Sequence, residues 1–430
     1  MLPPDHPARL ALSDEVHARP SQPLSTPCRA TYVAVLTTLE DRERERVHMA
    51  ELCRHFAIAP PAEDISYFCA QLGTIRFTWE RHGEFSGFTM MTPGLSPRPF
   101  TEPVTTLLPV GWLAALPGTT IAAAHAQLMT ATEPPLDSAD LASYFDGQTV
   151  VGGEIGGGAG FAYTDFKIHA DGFARFVVCN RHFSERQAGR MLQRLFEIEA
   201  YRMLSLLAFP IARALAPRIV EIEASLVQLT SQIAIEGGQD EALLQDLTRL
   251  AAEIERGLST SEFRFGACRA YYQLVTSRIQ ELRETRLPGI QPIGEFMARR
   301  LAPAVATCAS TSLRLHGLSD RVAQASALLS TRVDIARERQ NQALLASMDR
   351  RAKLQLRLQQ TVEGLSVAAI VYYVTGLIGY LAKAGKAGGL ALQPDLLVGL
   401  SIPLVACVVI FALRRARREL HRPDAAPAEP

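Results

Sequence analysis

Two short runs of this 430-residue sequence bring carboxylate, imidazole and guanidinium groups together. The first is Asp14-Glu15-Val16-His17-Ala18-Arg19-Pro20, with His6 upstream; the second is Trp79-Glu80-Arg81-His82-Gly83-Glu84. These are the residue types that move a proton or grip a charged ligand. His17, Arg19, Glu80 and His82 are therefore the candidate ligand-binding residues. Adjacent Glu and Arg on a strand or turn also form solvated ion pairs, which is the competing expectation. Asp165, His169 and Asp171 come after these, because a turn accounts for Asp171-Gly172.

The rest of the chain carries no catalytic signature. There is no His-Glu-x-x-His and no Gly-x-Ser-x-Gly elbow. The glycines between Gly152 and Gly160 match neither the dinucleotide fingerprint nor a Walker A loop, and no Gly-Lys-Ser/Thr follows; a flexible or bulged sheet edge is expected there. The seven cysteines (Cys28, Cys53, Cys69, Cys179, Cys268, Cys308 and Cys407) are scattered without metal-ligand or redox-motif spacing. That pattern suits reduced thiols in the cytoplasm. No enzymatic activity, cofactor or metal is expected. Lys plus Arg and Asp plus Glu both total 44, so the net charge is zero and no basic footprint points to nucleic acid.

The elements that must position these residues change character near residue 183. Before it, Thr31–Thr37 reads as a buried strand and about Leu39 to Phe56 as an amphipathic helix. Thr74–Glu80 alternates, with Ile75, Phe77 and Trp79 on one face and Arg76, Thr78 and Glu80 on the other. Glu84–Met90 pairs with it through a turn at Gly83. Phe161–His169 and Phe173–Val178 form a second hairpin around Ala170-Asp171-Gly172. Leu107–Leu116 and Ile121–Met129 read as short helices.

Beyond residue 183 the pattern is helical. Ser184-Glu185-Arg186-Gln187 has the form of a capping box, opening a helix toward Ala208 that Pro210 and Pro217 interrupt. Another helix reaches about Ile235, Gly237-Gly238 make a turn, and Asp240–Arg256 and Thr260–Arg286 follow, before Pro288 and Pro292. A continuous helix from Ser319 to Leu381 would be about 95 Å long at ~1.5 Å per residue. Its apolar stripe (Leu318, Val322, Ala325, Leu329, Val333, Ala336, then Leu344, Met348, Ala352 and Leu356) suits a bundle or coiled-coil seam. The partner is either the chain's own helices or neighbouring subunits of a homo-oligomer.

That helix enters the first of two uncharged apolar runs, Leu365–Leu381 and Leu396–Leu413, each long enough to cross a bilayer. Arg350, Arg351, Lys353 and Arg357 precede the pair, and Arg414, Arg415, Arg417, Arg418 and Arg422 follow it. The loop between them holds only Lys383 and Lys386. Positive charge is retained inside, so both termini are expected in the cytoplasm. No secretory signal is expected at the N-terminus. The expected fold is thus α+β: an N-terminal α/β domain with antiparallel hairpins over residues 1–183, a helical bundle or stalk over 184–360, a two-helix transmembrane hairpin over 361–418 and a disordered tail over 419–430.

The two polar runs, together with Asp165-Phe166, Ile168-His169-Ala170-Asp171-Gly172-Phe173 and Arg339-Gln340-Asn341-Gln342-Ala343-Leu344-Leu345, resemble a bacterial family of uncharacterised membrane-anchored proteins, domain of unknown function 3422. The likeness extends from about His6 to Arg418. It implies a protein of the bacterial cytoplasmic membrane and transfers no functional residue. A looser, architectural resemblance is to CorA-type magnesium transporters. The Gly-Met-Asn that ends their first span is replaced here by Gly376-Leu377-Ile378-Gly379-Tyr380-Leu381, which argues against magnesium selectivity. On that alternative Thr375, Gly376, Gly379 and Tyr380 would line a pore in a homo-oligomer. The favoured expectation is a bilayer-anchored binding or scaffold protein.

Overall fold

The computed structural model describes residues 3–10, 12–13, 20–63, 65–131, 136–235, 239–387 and 393–420; Gly237-Gly238 and the end of the expected tail lie outside them. The fold is α+β. Two compact units divide the chain, Met1–Leu329 and Ser330–Pro430.

In the first unit, β1 (Cys28–Leu36), β2 (Tyr67–Leu72), β3 (Ile75–Arg81), β4 (Phe85–Pro93), β5 (Thr119–Thr130), β6 (Val151–Ile155), β7 (Gly160–Thr164) and β8 (Ala174–Asn180) form one sheet in the order β2-β3-β4-β1-β5-β8-β7-β6. Its neighbours are antiparallel except β5 and β8, which are parallel. The alternation in β1 and β3 sorts side chains onto two faces. Val33, Val35, Phe77 and Trp79 pack with Met49 and Leu52 of α1 (Leu39–His55). Ala30, Tyr32 and Ala34 turn the other way, onto α3 (Glu185–Leu206). Thr38 caps α1 in a reciprocal box with Asp41, which explains why that helix begins where the pattern predicts. A short helix, α2 (Ser138–Tyr144), supplies Leu141 to a small core with Phe161, Tyr163 and Val177.

A helical layer completes the unit: α4 (Ala208–Ile233), α5 (Asp240–Leu282), α6 (Ile293–Arg300) and the start of α7 (Ala302–Ala387). Ile219 and Leu226 of α4, Leu247, Ile254 and Phe265 of α5, and Leu315, Leu318, Val322 and Leu329 of α7 share one core. The stripe expected on the long helix is therefore covered by the chain's own helices as far as Leu329.

Several expectations are corrected. Ile121–Met129 is not a helix but the middle of β5, paired on both sides. Its Ala-rich composition favours helix locally, and burial between two strands overrides that preference. Leu107–Leu116 is not an α-helix: a 3-10 turn at Val104–Leu107 ends where it begins, and another lies at Leu113–Ala115. The strands of the second hairpin stop at Thr164 and restart at Ala174, so its connection is longer than a three-residue turn. Pro217 does not end a helix: it lies inside α4, and both it and Arg213, four residues earlier, are exposed. Asp240–Arg256 and Thr260–Arg286 are one helix, because Thr260 and Ser261 turn their hydroxyls onto the carbonyls of Arg256 and Gly257 rather than breaking the ladder.

The second unit contains the remainder of α7 and α8 (Pro394–Leu420). Every side chain from Asp334 to Val362 is exposed, including Leu344, Leu345, Met348, Leu354, Leu356 and Leu358. Three helical stretches among the described residues are long and apolar enough to cross a membrane: one within Ile293–Ala387, Pro394–Arg415, and Glu185–Ile233, where the sequence pattern suggests only the first two.

Candidate functional site

The second polar run places Glu80 at the end of β3 and His82 in the turn to β4. Strand alternation puts Trp79 and Glu80 on opposite faces. Trp79 donates its indole N–H to Glu45 of α1, whose other oxygen accepts from Ser86 Oγ at 2.9 Å. Glu80 instead faces a pocket between the sheet and α3, which Thr78, His82, Tyr32, Phe85, Glu197 and Tyr201 also line. The cavity is about 40 Å³. His82 Nε2 lies 3.7 Å from Glu80 Oε2, and its ring stacks on Phe85 with centroids 4.2 Å apart. Tyr32 stacks on Phe196 at 5.2 Å, and Tyr201 on Tyr271 at 5.7 Å. Gly87 makes room for Tyr32: a Cβ there would lie 3.1 Å from the tyrosine hydroxyl.

The first polar run reaches the same place at its described end. Pro20 and Gln22 line the pocket. Gln22 donates to the hydroxyl of Tyr67, the residue paired with Glu80 across β2 and β3. Leu24 N–H bonds the Glu185 carbonyl at 2.9 Å, and Ser25 Oγ the Glu185 carboxylate at 2.7 Å. This segment lies so close to α3 that a Cβ on Gly189 would fall 1.8 Å from the Gln22 carbonyl oxygen, so only glycine fits. His17 and Arg19 lie outside the described residues. His6 stays local, its Nδ1 accepting from Ala8 N–H at 3.2 Å.

Two carboxylates, Glu80 and Glu197, line the pocket, and Arg278 pairs with the second of them. Burial raises the Glu197 carboxyl above its ordinary range; Arg278 opposes that shift and Glu80 adds to it. Burial likewise pushes the Tyr32 hydroxyl well up, with further contributions from Tyr201, Glu80, Glu197 and Glu199. Arg278 is shared between Glu197 and Glu281. Glu197, Tyr32 and Tyr201 gave no signal in the sequence, since they belong to apolar-patterned elements and only the packing of α3 on the sheet brings them to Glu80.

A second cluster forms in the loop after β7. His169 Nε2 lies 2.9 Å from Asp165 Oδ2 and its Nδ1 3.1 Å from Asp146 Oδ2, which Arg175 also reaches at 2.9 Å. Burial would raise the Asp146 carboxyl, but the bonds from His169 and Arg175 outweigh it and hold it below the usual range. Asp171 accepts from Phe173 N–H at 3.0 Å, a turn contact. The glycines nearby are structural. A Cβ on Gly152 would meet the Ala162 carbonyl oxygen at 2.2 Å and one on Gly153 the Thr285 carbonyl oxygen at 2.7 Å, on the edge strand β6. Among the described residues no group of three or more His, Cys, Asp or Glu is placed to hold a metal.

In the second unit, the Thr375 hydroxyl bonds the Val371 and Tyr372 carbonyls of its own helix at 2.7 and 3.1 Å. A Cβ on Gly379 would meet Val398 Cγ2 of α8 at 3.0 Å, whereas Gly376 has open space beside it and Tyr380 is exposed.

Residues 4–420 match the family described as protein of unknown function (DUF3422). The chain belongs to that family. Comparison with curated proteins and with solved structures gives no match. The likeness to CorA-type transporters thus gains nothing from these comparisons, and the DUF3422 membership extends across both polar runs and both apolar helices.

Proposed function

We propose that this DUF3422 protein is an integral membrane protein that holds a cytoplasmic binding unit at the bilayer, with Leu365–Leu381 and Leu396–Leu413 as its two spans and both termini inside. One observation carries the reading. Both helices turn large apolar side chains outward without cover: Leu365, Tyr373, Leu377 and Leu381 on the first, Leu396, Leu400, Leu404 and Phe411 on the second. In water each such side chain forfeits ~1.5–3 kcal/mol of burial, whereas lipid satisfies them. The basic residues outside both runs agree with the orientation. Glu185–Ile233 is apolar for a different reason. Leu195, Phe196, Ile198 and Leu204 are spent on the sheet, Ile219 and Leu226 on the helical layer, and Glu199 is bonded to Arg202 in its midst. A pore draws less support, because Thr375 is satisfied by its own helix and Gly379 closes on Val398.

The native protein should resist alkaline extraction from membranes. Arginine in the middle of each span, Tyr373→Arg with Leu404→Arg, costs ~2.5–3.5 kcal/mol per site and should move most of it to the soluble fraction. Extraction of the unaltered protein would contradict the anchor.

A further inference from the structure

We infer that the pocket between the sheet and α3 takes the ammonium head of a small primary amine. The inference rests on reading that pocket as the binding site of the anchored protein. Three observations lead to it.

The first is charge. Two carboxylates, Glu80 and Glu197, line one cavity, and among the described residues no lysine or arginine lines it with them. The arginines nearby are already committed, Arg278 to Glu197 and Glu281, and Arg194 to Glu281. Among the described residues the charge partner of Glu80 is His82, at 3.7 Å. Burial is the main reason the Glu197 carboxyl is raised, and the nearby Glu80 carboxylate adds to it by repulsion. A bound cation removes that repulsion, whereas an anion worsens it.

The second is the wall. Tyr32, Phe85, Phe196 and Tyr201 line the cavity with aromatic rings. Aromatic faces carry negative charge density and attract a cation within about 6 Å, more strongly once it is desolvated. Together with the carboxylates and the hydroxyls of Thr78 and Thr89, they supply acceptors for the three N–H donors of a primary ammonium.

The third is size. About 40 Å³ is far below the ~300–1,000 Å³ that engulfs a drug-sized ligand, so the cavity holds a head group.

Calorimetric titration of the full-length protein in detergent, with propylamine as the probe and 1-propanol and propionate as its neutral and anionic counterparts, decides the matter. Propylammonium should bind saturably and the other two should not. Glu80→Gln, close to isosteric and at the end of its strand, should weaken binding about tenfold or more; Glu197→Gln serves the same purpose if that variant does not fold. Absence of propylamine binding, equal or better binding of propionate, or affinity indifferent to both substitutions would overturn the inference. Retention in the membrane is read separately, so failure of the amine leaves the anchor standing and loss of the anchor leaves the amine result readable.

Discussion

Replacing His169 by alanine should lower the unfolding free energy of the first unit by about 3–5 kcal/mol, the usual consequence of stranding one member of a buried charged cluster. Asp165 drives the effect. Its side chain is 0% exposed, and without the imidazole the partner left to its carboxylate among the described residues is the Lys167 N–H, at 3.1 Å. Asp146 is more open and retains Arg175, so it contributes less. The loop these residues hold also carries Phe166, which stacks on Phe296 and accepts from Arg202 through its carbonyl. Slackening should therefore spread toward α3. Denaturant unfolding of the full-length protein, followed by the fluorescence of Trp79 and Trp112, reads the first unit alone, because both tryptophans lie in one core there. A loss below about 1 kcal/mol, the range of an exposed ion pair, would show that the cluster does not hold the loop.

Acid should destabilise the same unit through His125. This side chain lies on the central strand β5, its Nδ1 2.9 Å from Thr31 Oγ1 and its ring stacked on Phe173 at 3.9 Å. Burial pushes it down to about 4, with Asp171 opposing and Arg175 assisting. An unfolded histidine takes its proton near pH 6.5, so between there and pH 4 the unfolded chain binds a proton that the folded one refuses. The stabilisation is complete above pH 6.5 and is lost as pH falls toward 4, by about 3 kcal/mol in all. Glu45, Glu197 and Glu284 act in the opposite sense, since burial raises each of them and the folded state holds their protons more readily. The informative quantity is hence the difference between the native protein and His125→Asn, measured across this range. The native protein should lose about 3 kcal/mol more than the variant. Parallel profiles would show that His125 is not held neutral.

Local pattern carried much of this fold. The alternation of Thr74–Glu80 put Trp79 and Glu80 on opposite faces, and the structure gives Trp79 to the α1 core and Glu80 to the pocket. Thr38 and Ser184 mark helix starts because capping chemistry is local. Ile121–Met129 misled because alanine states a helical preference that only long-range pairing can override. The same limit governs the site. Glu80 and His82 stand out as neighbours in sequence, but Tyr32, Glu197 and Tyr201 lie 48, 117 and 121 residues from Glu80, and nothing in their own surroundings announces a shared cavity. Asp146 and Arg175 were hidden from the His169 cluster for the same reason.

One native cysteine reports on the proposed placement of the first unit in the cytoplasm, held by a membrane hairpin. Cys69 is exposed on β2, Cys28, Cys53, Cys179, Cys268 and Cys308 are buried, and Cys407 lies within the second apolar helix. A membrane-impermeant maleimide should label Cys69 in inverted vesicles and leave it untouched in intact spheroplasts, with Cys69→Ser abolishing the signal. Labelling of Cys69 from the outer side would contradict the orientation, and with it the assignment of the pocket to the cytoplasm.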